Sequence, residues 1–180
     1  MVSIVSNASP LIFLARLDRL SLLDCFEVLI PDQVYAEIKL GKENGKNEFL
    51  LIDQYINKKN IRLAQTTLIP SLPHTLGEGE SAVISLAVKE KIRRVLIDER
   101  KARMLAMSHG LEPKGTLAVL IEEKNKGRMS KQQFDHLLTK LVGFGFRISE
   151  DLLAKLYEVR PEEVLKKERD NEADERWNKV

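Results

Sequence analysis

Val95-Leu96-Ile97-Asp98, followed by Glu99-Arg100-Lys101-Ala102-Arg103, is the stretch on which the fold reading turns. Three large apolar residues in a row read as a buried central strand, closed by a single acid. The segment after it reads as a helix to about Ser108. The same alternation extends in both directions. Strands are expected at Val2–Ser6, Val28–Ile30, Ile61–Ala64 and Leu111–Pro113. Helices are expected from Ser9 (as N-cap, with Pro10 first in the helix) to Leu17, over Leu20–Cys25, from Pro31-Asp32 with Val34, Tyr35 and Ile38 on one face, and over Glu48–Asn57. Further helices run from Gly77 to about Lys91 and from about Thr116, Ser130 and Ser149. Gly41–Asn47 reads as a turn and Ile69–Thr75, with Pro70 and Pro73, as a loop. Strands alternating with helices imply an α/β domain, a parallel sheet covered on both faces. Such sheets bind ligands beyond the carboxyl ends of their strands, where the strand order reverses.

At 180 residues and 43% apolar composition the chain has enough material for one domain with a real core. The balance of 29 basic and 27 acidic residues, a net charge of +2, argues against a protein that coats nucleic acid. A local basic patch remains sufficient to engage a backbone. Cys25 is the lone cysteine, which rules out an internal disulfide and a multi-cysteine zinc site. Its neighbours Leu22, Leu23 and Phe26 suggest a buried small hydrophobe. No apolar run approaches the roughly 20 residues needed to span a bilayer, and no signal peptide is visible, so a cytoplasmic location is expected. Residues 1–158 are read as the domain and 159–180 as a charged tail or helix, with few apolar residues besides Val164, Leu165 and Trp177.

Several acids stand where a bland reading would not place them. In the helix opened by Gly77-Glu78-Gly79-Glu80, the residues Val83, Ile84, Ala87 and Val88 lie within about 80° of the direction of Glu80. Glu80 thus falls on the apolar face, where a carboxylate is costly unless paired or bound to metal. Its rival role is that of a capping carboxylate. Glu78 points the other way and reads as the cap. Glu37 borders the apolar face of its helix beside Val34 and Ile38 and alone would be unremarkable. Asp98 suits a helix N-cap, a metal ligand at the edge of the sheet, or both. Arg100, Lys101 and Arg103 oppose the dipole of the helix they open. Either Asp98 and Glu99 offset them or they meet a phosphate backbone, and the two readings weigh equally. His74, His109 and His136 have no metal-ligand spacing, and no glycine-rich phosphate loop follows the first strand.

Four segments in order resemble the PIN-domain family, the VapC-like metal-dependent ribonucleases, and especially a prokaryotic branch of predicted nucleic-acid-binding proteins. They are Ile4–Ile12, Ile30–Ile38, Leu76–Ala82 and Val95–Arg103, with weaker likeness through Gly115-Thr116-Leu117 and Gly145–Ser149, so that the resemblance covers about residues 2–157. It implies a three-layer α/β/α fold with a central parallel sheet of order 3-2-1-4-5. It also implies a pocket of acids, which by position look like Glu37, Glu80 and Asp98. The usual first aspartate falls on Asn7, which lacks the formal charge, while Ser9 matches a small hydroxyl residue that supports the site, as Glu78 is expected to do.

Oxygen-rich sites of this kind suit Mg2+ or Mn2+. The resemblance implies catalytic and metal roles for Asn7, Glu37, Glu80 and Asp98, with RNA as substrate and products carrying 5′-phosphate and 3′-hydroxyl ends. Arg100, Lys101 and Arg103 are the candidates to steady the RNA backbone. Partners in line with the resemblance are RNA, an antitoxin protein if the chain is the toxin of a toxin–antitoxin pair, and further copies of the chain in a homodimer or higher homo-oligomer. The alternative is a catalytically weak or inactive PIN-like module that binds RNA or a protein, because Asn7 weakens the metal site. A receiver-like signalling domain would want an acidic pair after the first strand, and Asn7-Ala8 supplies none.

Overall fold

The computed structural model describes residues 1–43, 48–58 and 61–157. Five strands, β1 (Val2–Ser6), β2 (Phe26–Pro31), β3 (Ile61–Ala64), β4 (Arg94–Leu96) and β5 (Glu112–Lys114), form one sheet in the order β3-β2-β1-β4-β5, with every pairing parallel. The flanking helices are α1 (Ala8–Arg16), α2 (Asp32–Glu43), α3 (Glu48–Asn57), α4 (Glu78–Lys89), α5 (Arg100–Ser108), α6 (Thr116–Asn125) and α7 (Lys131–Gly143). This is the α/β/α architecture of the expected order. By contact density the chain divides into Met1–Leu141 and Val142–Val180, and in the second unit α8 (Glu150–Tyr157) is the described helix. The expected tail, residues 159–180, lies outside the described residues. No described helix is long and apolar enough to cross a membrane.

The strands of the middle of the sheet are buried toward their carboxyl ends, through Ile4, Val5 and Ser6 in β1 and Val28 to Pro31 in β2. At the edge, β5 holds Pro113, which an edge strand tolerates because one side of its backbone needs no partner. Between β3 and β4 the chain crosses back over β1, and α4 makes that return, packing on β1, β2, β4 and α2. Its residues Ser81 to Ala87 are all buried, so the helix has little solvent face of its own. Val88, expected on its apolar face, is 40% exposed.

Three local expectations change. Asn7, not Ser9, is the N-cap of α1, and its own backbone N–H donates to the Leu96 carbonyl at 2.9 Å, so that the helix starts as soon as the strand ends. Pro10 then sits third in the helix, still within the first turn, where no N–H is required. The helix α2 continues through Gly41 to Glu43, where a turn was expected. Cys25 is exposed rather than buried, because the 3-10 turn at Leu20–Leu23 ends just before it and leaves its thiol beside the Leu22 carbonyl, 3.9 Å away. At the start of α7 the sequence Ser130-Lys131-Gln132-Gln133 forms a capping box, with the Gln133 N–H donating to the Ser130 hydroxyl and the Ser130 N–H to the Gln133 side chain.

Because Ile84 is fully buried in the helix that bridges the sheet, Ile84→Ala is expected to cost about 2–5 kcal/mol of unfolding free energy. Val88→Ala, one turn on but exposed, should change it by no more than about 0.5 kcal/mol. Urea denaturation of the two variants compares them, and similar losses would show that α4 is seated differently.

Candidate functional site

Strand order reverses at β1, between its neighbours β2 and β4, and Asn7 is the residue at the carboxyl end of that strand. The helix α2 begins at the carboxyl end of β2. The helix α4 leads into β4 and therefore runs against the strands, bringing its own N-terminus to the same edge of the sheet. The N-termini of three helices, α1 after Asn7, α2 and α4, thus come to this edge, and their partial positive charge favours acidic side chains.

The cleft between them is lined by Asn7 and Ser9, by Asp32, Gln33 and Glu37 of α2, and by Gly77, Glu78, Gly79 and Glu80 at the head of α4. It contains no Lys, Arg or His side chain. Asn7 is 5% exposed, and its Oδ1 has no hydrogen-bond partner. Gly79 is what lets the walls meet. A Cβ at this position would lie 2.9 Å from Glu37 Oε2 and 3.1 Å from Asn7 Oδ1, closer than a side chain can be accommodated without a shift. Although Glu37 as a residue is exposed, loss of water around its carboxyl raises its pKa, and the charge of Glu80 raises it further. Glu80 Oε2 accepts the Gly77 N–H at 2.9 Å, so Glu80 is itself the reciprocal capping residue of α4 as well as a wall of the cleft. Glu80, expected as a site residue with capping as its rival role, takes both places, whereas Glu78, expected as the cap, lines the cleft while Glu80 does the capping.

Asp98 is placed differently. Its carboxylate accepts the Thr116 N–H and the Thr116 hydroxyl, each at 2.7 Å. It does not cap α5. Glu99 does, accepting the Lys101 N–H at 3.4 Å, while Asp98 serves the N-terminus of α6 from across the sheet edge. Gly115 makes the approach possible, since a Cβ there would stand 2.8 Å from Asp98 Oδ1. Burial pushes the Asp98 carboxyl above its ordinary range, against the pull of the two Thr116 bonds and the charge of Arg103. Arg103 is half-buried, and its guanidinium donates to the carbonyls of Ile97 and Asp98. Arg100 and Lys101 are exposed and line a separate groove with Pro73, Thr75, Leu76 and Met104, in which no carboxylate takes part.

The sequence model of the PIN-domain family matches residues 3–161. This chain is a PIN domain. No match was found among curated proteins. Among solved structures it is similar to a PilT N-terminus domain protein from the hyperthermophilic archaeon Sulfolobus solfataricus P2, at 15% identity, covering 68% of this chain and 92% of that one, with a TM-score of 0.49.

The PIN domain is a nuclease-type fold, typically dependent on a divalent metal. The residues at the cleft fit such an ion by chemistry, because a hard cation takes oxygen donors and Asn7 Oδ1 is a buried oxygen with nothing to accept from. A buried acceptor left in that state costs about 1–3 kcal/mol. Glu37 and Glu80 supply the negative charge. Asp98 is not among the residues that line the cleft, and among the described residues no three His, Cys, Asp or Glu side chains come together in a way that could hold a metal ion. The two Thr116 bonds fix the direction of the Asp98 carboxylate, and each of its oxygens keeps a lone pair. In this PIN domain the sequence reading missed Gly79 and Gly115, which permit the two close approaches, and Gln33 and Asp32, which carry no signal beyond helix-compatible polarity.

Asp98→Ala is expected to lower stability by about 1.5–3 kcal/mol without any metal, the loss typical of a hydrogen bond to a charged group. Asp98→Asn, which keeps an acceptor for the Thr116 N–H, should lose less. Melting curves recorded in a chelator check this. A full-sized loss that appears only when Mn2+ is present would mean that Asp98 acts through metal instead.

Proposed function

We propose that this PIN domain is a divalent-metal-dependent ribonuclease that cuts phosphodiester bonds at the cleft between α2 and the head of α4. The observation that carries the reading is the buried, partnerless Asn7 Oδ1, placed beside the Glu37 carboxylate at Gly79 and at the topological switch of the sheet. With a cation bound, such a site polarises a phosphodiester oxygen and activates water for in-line attack. Asn7, Glu37 and Glu80 are the residues that would hold the ion. Their charge, unopposed by any basic side chain in the cleft, repels a bare phosphate, so a cation would be needed to let the RNA backbone in. The products carry 5′-phosphate and 3′-hydroxyl ends.

The groove beside the cleft supports the substrate class. Leu76 lines the groove and Gly77 lines the cleft, so the two surfaces share one stretch of chain. Among the described residues neither Arg100 nor Lys101 forms an ion pair, which leaves both to meet phosphates. Arg103 is half-buried and its Nη1 is bonded to two backbone carbonyls, so it is the least available of the three for that role. A toxin role with an antitoxin partner, and assembly with further copies of the chain, belong to the same proposal and rest on the family alone.

A second reading has an observation of its own. Asn7 is uncharged and Asp98 is not among the residues lining the cleft, which leaves fewer carboxylates for metal and favours a module that binds RNA without cutting it.

Labelled single-stranded RNA incubated with the protein should be cut in Mn2+ and left intact in a chelator, and Glu37→Gln should abolish the cleavage. RNA that is bound but never cut, at any Mn2+ concentration, would favour the second reading. For the groove, an Arg100→Ala/Lys101→Ala variant should flatten the dependence of RNA affinity on salt, by about 0.7 in log–log slope for each phosphate it no longer neutralises. Arg103→Ala should leave the slope alone and lower the melting temperature. A slope that falls only in the Arg103 variant would reverse this assignment.

A further inference from the structure

We propose that Gln33 supplies a neutral oxygen ligand to a divalent cation in the cleft, alongside Asn7, Glu37 and Glu80. The inference rests on the metal reading above and extends it to a residue that the family pattern does not mark.

Gln33 Oε1 is shielded from solvent and has no hydrogen-bond partner, as is Asn7 Oδ1, and both line the same cleft. Gln33 is the second residue of α2, and Glu37 is four residues on, so the two side chains share one face of the helix at neighbouring turns. Two amide oxygens buried without donors, in a cleft that has no basic side chain, need something positive or a water to complete them. The other side chains there add to the demand, since Asp32, Glu37, Glu78 and Glu80 are acceptors when ionised. A hard divalent cation answers it, because Mg2+ and Mn2+ take several oxygens at once and accept amide carbonyls as well as carboxylates. An ordered water would satisfy the amides too, but its removal would not change metal affinity, and that separates the two cases.

A mixed set of this kind gives the cation four protein oxygens with less negative charge than four acids would. The amides then set the shape of the site while Glu37 and Glu80 supply its attraction.

The test uses the full chain with Mn2+ as the probe, in calorimetric titrations and in melting curves with and without the ion. Gln33→Leu should weaken Mn2+ binding at least about tenfold, a loss seen even for residues that only support a ligand. Its melting temperature in chelator should not fall, because the substitution removes an unsatisfied buried oxygen. Gln33→Glu, which keeps the length and adds a charge, should bind Mn2+ more tightly than wild type and show the larger Mn2+-induced rise in melting temperature, from a lower starting point in chelator. Wild-type binding with no change in either variant would overturn the assignment and leave the cleft as a metal site. So would a Leu variant that melts lower in chelator but binds Mn2+ normally, since Gln33 would then only hold the fold. Absence of Mn2+ binding in the wild type would remove this inference together with the metal reading.

Discussion

The bond from the Asn7 N–H to the Leu96 carbonyl, 2.9 Å long, joins the two halves of the sheet at the point where their order reverses. On one side of β1 the chain goes to β2 and β3, and on the other to β4 and β5. Elements that leave β1 and β2 therefore diverge from the one that arrives at β4, and the gap they leave is the cleft. Asn7 is held from both directions, by this bond and by the helix that starts at Ala8. Its side chain has few places to go other than into the gap. The return helix α4 must run against the strands it connects, which delivers Glu78 and Glu80 to the same edge. Gly79 then decides how close Glu37 and Asn7 can come to it.

Much of this frame is legible in the sequence because it depends on local signals. Pro31-Asp32 marks the start of α2, and Glu48–Asn57 and Ile61–Ala64 read directly as a helix and a strand. What escapes is whatever depends on residues far along the chain. The strand β4 runs from Arg94 to Leu96 rather than from Val95 to Ile97, because its partners in β1 and β5 set its limits. The direction of Asp98 is fixed by Thr116, eighteen residues on, and nothing near Asp98 announces it. Helical periodicity singles out Glu80, but α4 is buried nearly all round, so the phase of an apolar face says little about its side chains. Gln33 looks like any glutamine near the start of a helix, and only its buried, unpartnered Oε1 distinguishes it.

A net charge of +2 conceals a sharp local separation. The cleft has acids and no bases, while the adjoining groove has Arg100 and Lys101 and no acids. A polyanion approaching the groove gains from it, then meets repulsion a few residues further along. Such a surface does not favour uniform coating by nucleic acid. On the reading proposed above, RNA would lie with its flank on the basic side and a single phosphate facing the acids through a counter-ion. Arg103, from the same basic run in sequence, also bonds the Ile97 and Asp98 carbonyls at the end of β4.

The neutrality of Asn7 follows from the same physics. At 5% exposure, a carboxylate at this position would be stripped of water and set beside Glu37, whose own pKa is already raised by desolvation and by Glu80. Both effects disfavour the charged form, so an aspartate there would either hold a proton or strain the cation-free fold. An asparagine presents a similar oxygen without that penalty. Its cost falls on the other side of the equilibrium, since a carbonyl attracts a cation less strongly than a carboxylate. Asp98, outside the lining of the cleft, accepts two bonds from Thr116 at the N-terminus of α6. On the reading proposed above, the attraction for a cation would rest on Glu37 and Glu80, whose charges already act on one another.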